Sequence, residues 1–168
     1  MKSAKKIILS ATFSILLASA AASARADDAS ESLQTLEKLL TCQQYGEAKE
    51  ILPLLQRFGA EAKGESPFGS IHVFPTAPEI LGQSALYVVV DDSVNNAALL
   101  YTYLATGSEN ALAQTLGAKK NEDGEFAKRT DGRELLIVKD TEKYAEKPAQ
   151  AAVILACDMN VNPEPAKE

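Results

Sequence analysis

Histidine is almost missing from this chain: His72 is the only one in 168 residues. A single imidazole excludes His-pair metal sites, the H-E-x-x-H zinc pattern and any mechanism that needs two imidazoles. Phosphate-cradling glycine motifs are absent too. Neither G-x-G-x-x-G nor G-x-x-x-x-G-K-[ST] occurs, so nucleotide binding has no support. No G-x-S-x-G elbow presents a serine nucleophile. No cofactor is implied, and no fixed-period repeat is found. Cysteine is scarce as well: Cys42 and Cys157 are the only two. They lie too far apart for the C-x-x-C arrangement of redox pairs.

What is present begins with an export signal. Lys2, Lys5 and Lys6 precede an apolar run from Ile7 to Leu17, then small residues and Ala24-Arg25-Ala26 before Asp27-Asp28. A basic start, a short apolar middle and an A-x-A end make a cleavable secretory signal over residues 1–26. The run is shorter than the roughly 20 apolar residues that span a bilayer, and an uncleaved anchor is the alternative. There is no cysteine at the cleavage region for a lipoprotein route, and no twin arginine. The expected location is periplasmic or secreted, in a bacterium, with a Gram-negative periplasm as the default.

Cleavage would leave 142 residues, enough for one domain with its own core. It removes four basic residues and no acid, taking the net charge from −6 to −10. A nucleic-acid partner needs a basic footprint, and this field has the opposite sign. An anionic membrane surface is disfavoured for the same reason. The charge suits a basic extracytoplasmic protein, or serves solubility alone. In an oxidising compartment the two cysteines are most simply a Cys42–Cys157 disulfide, with buried free thiols or a redox pair as alternatives.

The mature chain reads as α+β. Leu33, Leu36, Leu39 and Leu40 stripe a helix over 30–41. A second helix covers 46–58, where Pro53 demands a kink or a later start. Gly59 and 64–67 read as loop. Strands are expected at 70–74, 85–90, 97–105, 125–128, 133–139 and 151–159, with Asp131-Gly132 turning one hairpin. The 97–105 segment could also be helical. Ser108 caps a short helix, 109–116, closed by Gly117. Residues 162–168, with two prolines, read as a loose tail after a single domain, 27–161. The expected architecture is an antiparallel sheet of five or six strands, with two N-terminal helices and one inner helix packed on one face. Alternation puts Val153, Leu155, Cys157 and Met159 on the buried side.

Candidate functional residues are few. Tyr87, Tyr101 and Tyr103 form an aromatic group that is a contact surface if exposed and core if it faces the helices. Asp91 and Asp92, followed by Asn95 and Asn96, could add charge or gather oxygens around a cation, as could 121–125. Both stretches also read as ordinary solvated turns, and neither has calcium-loop spacing. Ser70 and His72 share a strand face and could approach as a nucleophile and base. Three readings follow: a non-catalytic binding or inhibitory module, a small hydrolase using Ser70 and His72 or paired carboxylates, and a structural envelope protein.

Overall fold

The structure, a computed structural model, describes residues 29–91 and 98–159. The expected signal segment 1–26, Asp92 with the rest of 92–97, and residues 162–168, expected as a tail, lie outside the described residues. The chain divides after Gln34 into two compact units, and apart from the first residues of helix α1 everything below concerns the second, from Thr35 onward.

Helix α1 covers residues 29–40 and α2 covers Ala48–Arg57. Glu47 and Glu50 make a reciprocal capping box that starts α2 ahead of its proline. The later start allowed for by Pro53 is therefore not used. Pro53 sits on the solvent side of the helix, where water can satisfy the carbonyl that it leaves unbonded. Ile51 and Leu55 are fully buried on the opposite side. At α3 (Glu109–Leu116), Ser108 accepts a hydrogen bond from the Ala111 amide at 3.3 Å, and Gly117 closes the helix with φ 71°.

The strands are β1 (Glu61–Ser66), β2 (Gly69–Val73), β3 (Glu79–Ile80), β4 (Gln83–Asp91), β5 (Leu99–Leu104), β6 (Lys119–Lys120), β7 (Phe126–Thr130), β8 (Arg133–Lys139) and β9 (Val153–Asp158). They form one nine-stranded sheet in which the pairings are antiparallel. The count of five or six strands is thus corrected to nine. The additions are β1 and the two-residue strands β3 and β6. Strand β1 has no apolar alternation: it is an exposed edge strand held by its pairing to β2. Its turn demands Gly69, because a Cβ there would lie 2.3 Å from the Val90 carbonyl oxygen. Residues 97–105 resolve as strand over Leu99–Leu104.

The main strand order is β1-β2-β4-β5-β9-β8-β7-β6, with β3 beside β4. Each half is a helix followed by four strands in meander order: α2 with β1, β2, β4 and β5, then α3 with β6 to β9. The halves meet where β5 pairs with β9.

All three helices contribute to one core on one face of the sheet. Leu36, Leu39 and Leu40 of α1, Ile51 and Leu55 of α2, and Leu112 and Leu116 of α3 cluster with Val88, Val90, Leu100, Leu135, Ile137, Val153, Leu155 and Cys157. Full burial of each large aliphatic side chain contributes about 2 kcal/mol. Cys157, wholly buried on β9, is bonded to Cys42 just beyond α1, with Cα atoms 5.3 Å apart. The opposite face, to which the sequence assigned no cover, holds a second apolar cluster: Ile71, Tyr87, Val89, Tyr103, Ala151 and Ile154.

The disulfide closes a separation of 115 residues, for which chain entropy gives a stabilisation of about 4–5 kcal/mol. Paired Cys42→Ser and Cys157→Ser substitutions should lower the unfolding free energy by about 3 kcal/mol or more in urea titrations. An unchanged denaturation midpoint would show that the bond does not constrain the unfolded chain.

Candidate functional site

The face away from the helices carries most of the residues singled out by the sequence. Sheet register arranges them in rows. One row is Tyr87, Tyr103, Ile154 and Val138. The next is Val89, Tyr101, Ala156 and Leu136, and the last is Asp91, Leu99, Asp158 and Glu134. Burial falls along this sequence. In the first row Tyr87, Tyr103 and Ile154 are buried and Val138 is half-buried, in the second only Val89 is buried while Tyr101, Ala156 and Leu136 are half-buried, and the whole last row is half-buried.

A strap, residues 140–151, covers the first row. Asp140 follows β8 directly and has a fully buried carboxylate. Its Oδ2 accepts the Ala151 amide at 2.8 Å, its Oδ1 accepts the Glu142 amide at 3.2 Å, and Lys147 Nζ closes an ion pair on Oδ1. Lys147 also donates to the Glu142 carbonyl at 2.8 Å, and its ammonium lies over the rings of Tyr103 and Tyr144. The carboxylate thus ties both ends of the strap to the middle. From the sheet, the Tyr103 hydroxyl donates to Glu142 and the Tyr87 hydroxyl to the Ala149 carbonyl.

The tyrosine group therefore splits. Tyr87 and Tyr103 are stacked, with ring centroids 4.0 Å apart, and have no exposed surface. Burial raises both hydroxyls well above the ordinary tyrosine range, with Tyr144 next in effect at Tyr87 and Glu142 at Tyr103. They remain neutral donors. They are core, although on the face away from the helices, and are not a contact surface. Tyr101 alone of the three is half-open, packed against Phe68 at 5.4 Å. Asp91 stands one row further out, on the same face. The carboxylates Asp158 and Glu134 were missed by the sequence reading. Alternation along β8 and β9 could have found them, but only with the order of those strands known.

Ser70 and His72 do approach: Ser70 Oγ lies 3.0 Å from His72 Nε2. They sit on β2, on the same face as Phe74, which joins the helix-side core. Ser70 Oγ is also 3.2 Å from the Val90 carbonyl. A serine has one proton. If Val90 takes it, the imidazole donates through Nε2 and cannot act as base toward that serine. His72 is buried, and this burial lowers its pKa, opposed by the charge of Glu65. The residues lining the described cavities include neither Ser70 nor His72. Among the described residues no group of three or more His, Cys, Asp or Glu side chains is placed to hold a metal ion. The 121–125 loop is closed by its own bonds, Asn121 Oδ1 accepting the Glu125 amide at 2.9 Å.

Two outcomes follow from these environments. Asp140→Asn should cost about 3 kcal/mol in denaturant titrations, because Lys147 is left largely buried without its counter-charge. A loss under 0.5 kcal/mol, the size of a surface effect, would show that the strap does not depend on the pair. His72, as the sole histidine, should titrate in proton NMR below the ordinary value of about 6.5. A folded-state pKa below the unfolded one means that the unfolded chain binds more protons in that interval. His72 should therefore cost stability as pH falls from about 6.5 to the folded pKa, and His72→Gln should remove that part of the slope. A midpoint at or above 6.5 would contradict the burial argument.

Compared with known proteins, the chain matches no family model, no curated protein and no solved structure.

Proposed function

We propose that this chain is an exported, non-catalytic binding module that engages a basic protein partner through the open part of the face opposite the helices. The observation that carries this reading is the row pattern: a half-buried strip of Tyr101, Ala156 and Leu136, flanked in register by Asp91, Asp158 and Glu134, the last of them held in an ion pair by Arg129 at 2.8 Å. An aromatic-centred apolar strip supplies desolvated contact area. Carboxylates at its border speed the approach of a cationic partner and disfavour acidic ones. Export is supported by the basic-apolar-small order of residues 1–26 and is compatible with the Cys42–Cys157 bond. Among the described residues no helix is long and apolar enough to cross a membrane.

The 3.0 Å Ser70–His72 contact favours a second reading, a small hydrolase. One set of proteins separates the two. Native protein immobilised in envelope extract should retain a basic protein at low salt and release it at high salt. Asp158→Lys and Tyr101→Ala should each weaken retention about tenfold or more. His72→Gln should leave it unchanged. Retention that ignores the first two variants removes the proposed face. A fluorophosphonate adduct on Ser70 that disappears in His72→Gln would support the hydrolase instead.

A further inference from the structure

A cavity of about 240 Å³ lies beside the disulfide on the helix side of the sheet, lined by Thr41, Gln43, Leu116, Lys128, Thr130 and Arg133 among others. Alternation along the β7–β8 hairpin builds its floor. Phe126, which packs on the helix-side core, shares a face with Lys128 and Thr130, while Arg133 shares one with the core residues Leu135 and Ile137. The Asp131-Gly132 turn, both residues at positive φ, sets Thr130 directly across from Arg133. The turn after α1 supplies one wall and the last residue of α3 another.

The lining is cationic in a chain of net charge −6: it holds Lys128 and Arg133 and no carboxylate. The Arg133 side chain is only 12% exposed. Its Nε donates to the Thr130 carbonyl at 3.3 Å, and it makes an ion pair with the carboxylate of Asp131, 3.6 Å away and 84% exposed. A guanidinium has five N–H groups, these contacts engage two of them, and Arg133 lines the cavity. Lys128 Nζ donates to the Leu116 carbonyl at 2.8 Å, which offsets the negative end of α3 and fixes the ammonium at the rim. The Thr41 hydroxyl, buried and donating to the Glu37 carbonyl at 2.6 Å, accepts from Gln43 at 2.9 Å. Nearby acids are engaged elsewhere: Glu37 accepts the Leu81 amide, and Glu134 pairs with Arg129 on the opposite face.

We propose that this cavity is a binding site for a small oxyanion, a phosphate or a carboxylate, held by Arg133 and Lys128. A planar guanidinium presents paired donors that match two oxygens of such a group, and a second cation at the rim adds charge without competing for the same geometry. The volume is large enough to admit a small anion.

The test is a titration of the disulfide-intact protein with inorganic phosphate, and separately with acetate, at constant ionic strength, followed by amide and arginine Nε–H NMR. Saturable shifts are expected at Arg133 Nε and at the Gln43, Leu116 and Thr130 amides. Arg133→Gln should weaken binding about tenfold or more, and Lys128→Gln, which keeps the buried arginine, by a smaller factor. Lys63→Gln, on the distant β1 edge, should change nothing. Saturation by phosphate alone assigns the site to phosphate, and saturation by both anions to oxyanions in general. Shifts that stay linear at the cavity, or that Lys128→Gln and Arg133→Gln both leave unaltered, would overturn the proposal.

Discussion

The structure depends on the placement of β9. Two meanders built from separate halves of the chain share the sheet, and the last strand inserts between them. It makes six residue pairs with β5 and six with β8. Such a strand comes late and pairs over long sequence separations, so its closure entropy must be offset. Its alternation does this on both faces at once. Val153, Leu155 and Cys157 enter the helix-side core, while Ile154 enters the opposite cluster. The Cys157 sulfur then binds the strand to the turn after α1. One segment thereby joins the two half-sheets, the N-terminal turn and both cores.

The same insertion leaves a long connection from β8 to β9, and its course decides what the far face can do. A segment lying on a sheet would strand polar backbone groups unless they found partners. The Asp140 carboxylate accepts the Glu142 and Ala151 amides, the Tyr87 hydroxyl donates to the Ala149 carbonyl from beneath, and the Tyr103 hydroxyl holds the Glu142 side chain. The strap can therefore lie flat over Tyr87 and Tyr103 and stop there. Beyond it the rows open progressively to water. A buried ion pair is a poor source of net stability but a good device for fixing one arrangement. Here it fixes the boundary between covered and open sheet.

Much of this was legible in the sequence because it follows from local rules. The Ser108 and Gly117 caps, the Asp131-Gly132 hairpin, the β9 alternation and the side on which Cys157 lies each rest on residues close together in the chain. Strand β1 was not legible, since Glu61–Ser66 carries no apolar pattern and its conformation comes from β2. The tyrosines read as core only if they faced the helices; Tyr87 and Tyr103 are buried on the other face, because the strap is polar in sequence and covers apolar rings through Asp140 and Lys147. The carboxylate row and the cationic cavity depend on strand order. Glu134 and Asp158 are 24 residues apart, and only the β8–β9 register makes them neighbours.

Strand alternation also separates two surfaces of opposite charge. Along the β7–β8 hairpin, Lys128, Thr130 and Arg133 project toward the helices while Arg129 and Glu134 project away. An acidic chain would repel an anion at long range, but that field is screened beyond about 8–10 Å at moderate salt. Within the cavity the guanidinium and ammonium are the nearest charges, and partial exclusion of water strengthens their effect. On the proposed readings the overall charge would govern approach of a large partner to the open face, whereas local geometry would govern a small ligand on the helix side. Since the two faces share the backbone of the same strands, a change in β8 register would displace both surfaces, and the disulfide beside the cavity resists such a slip by holding β9.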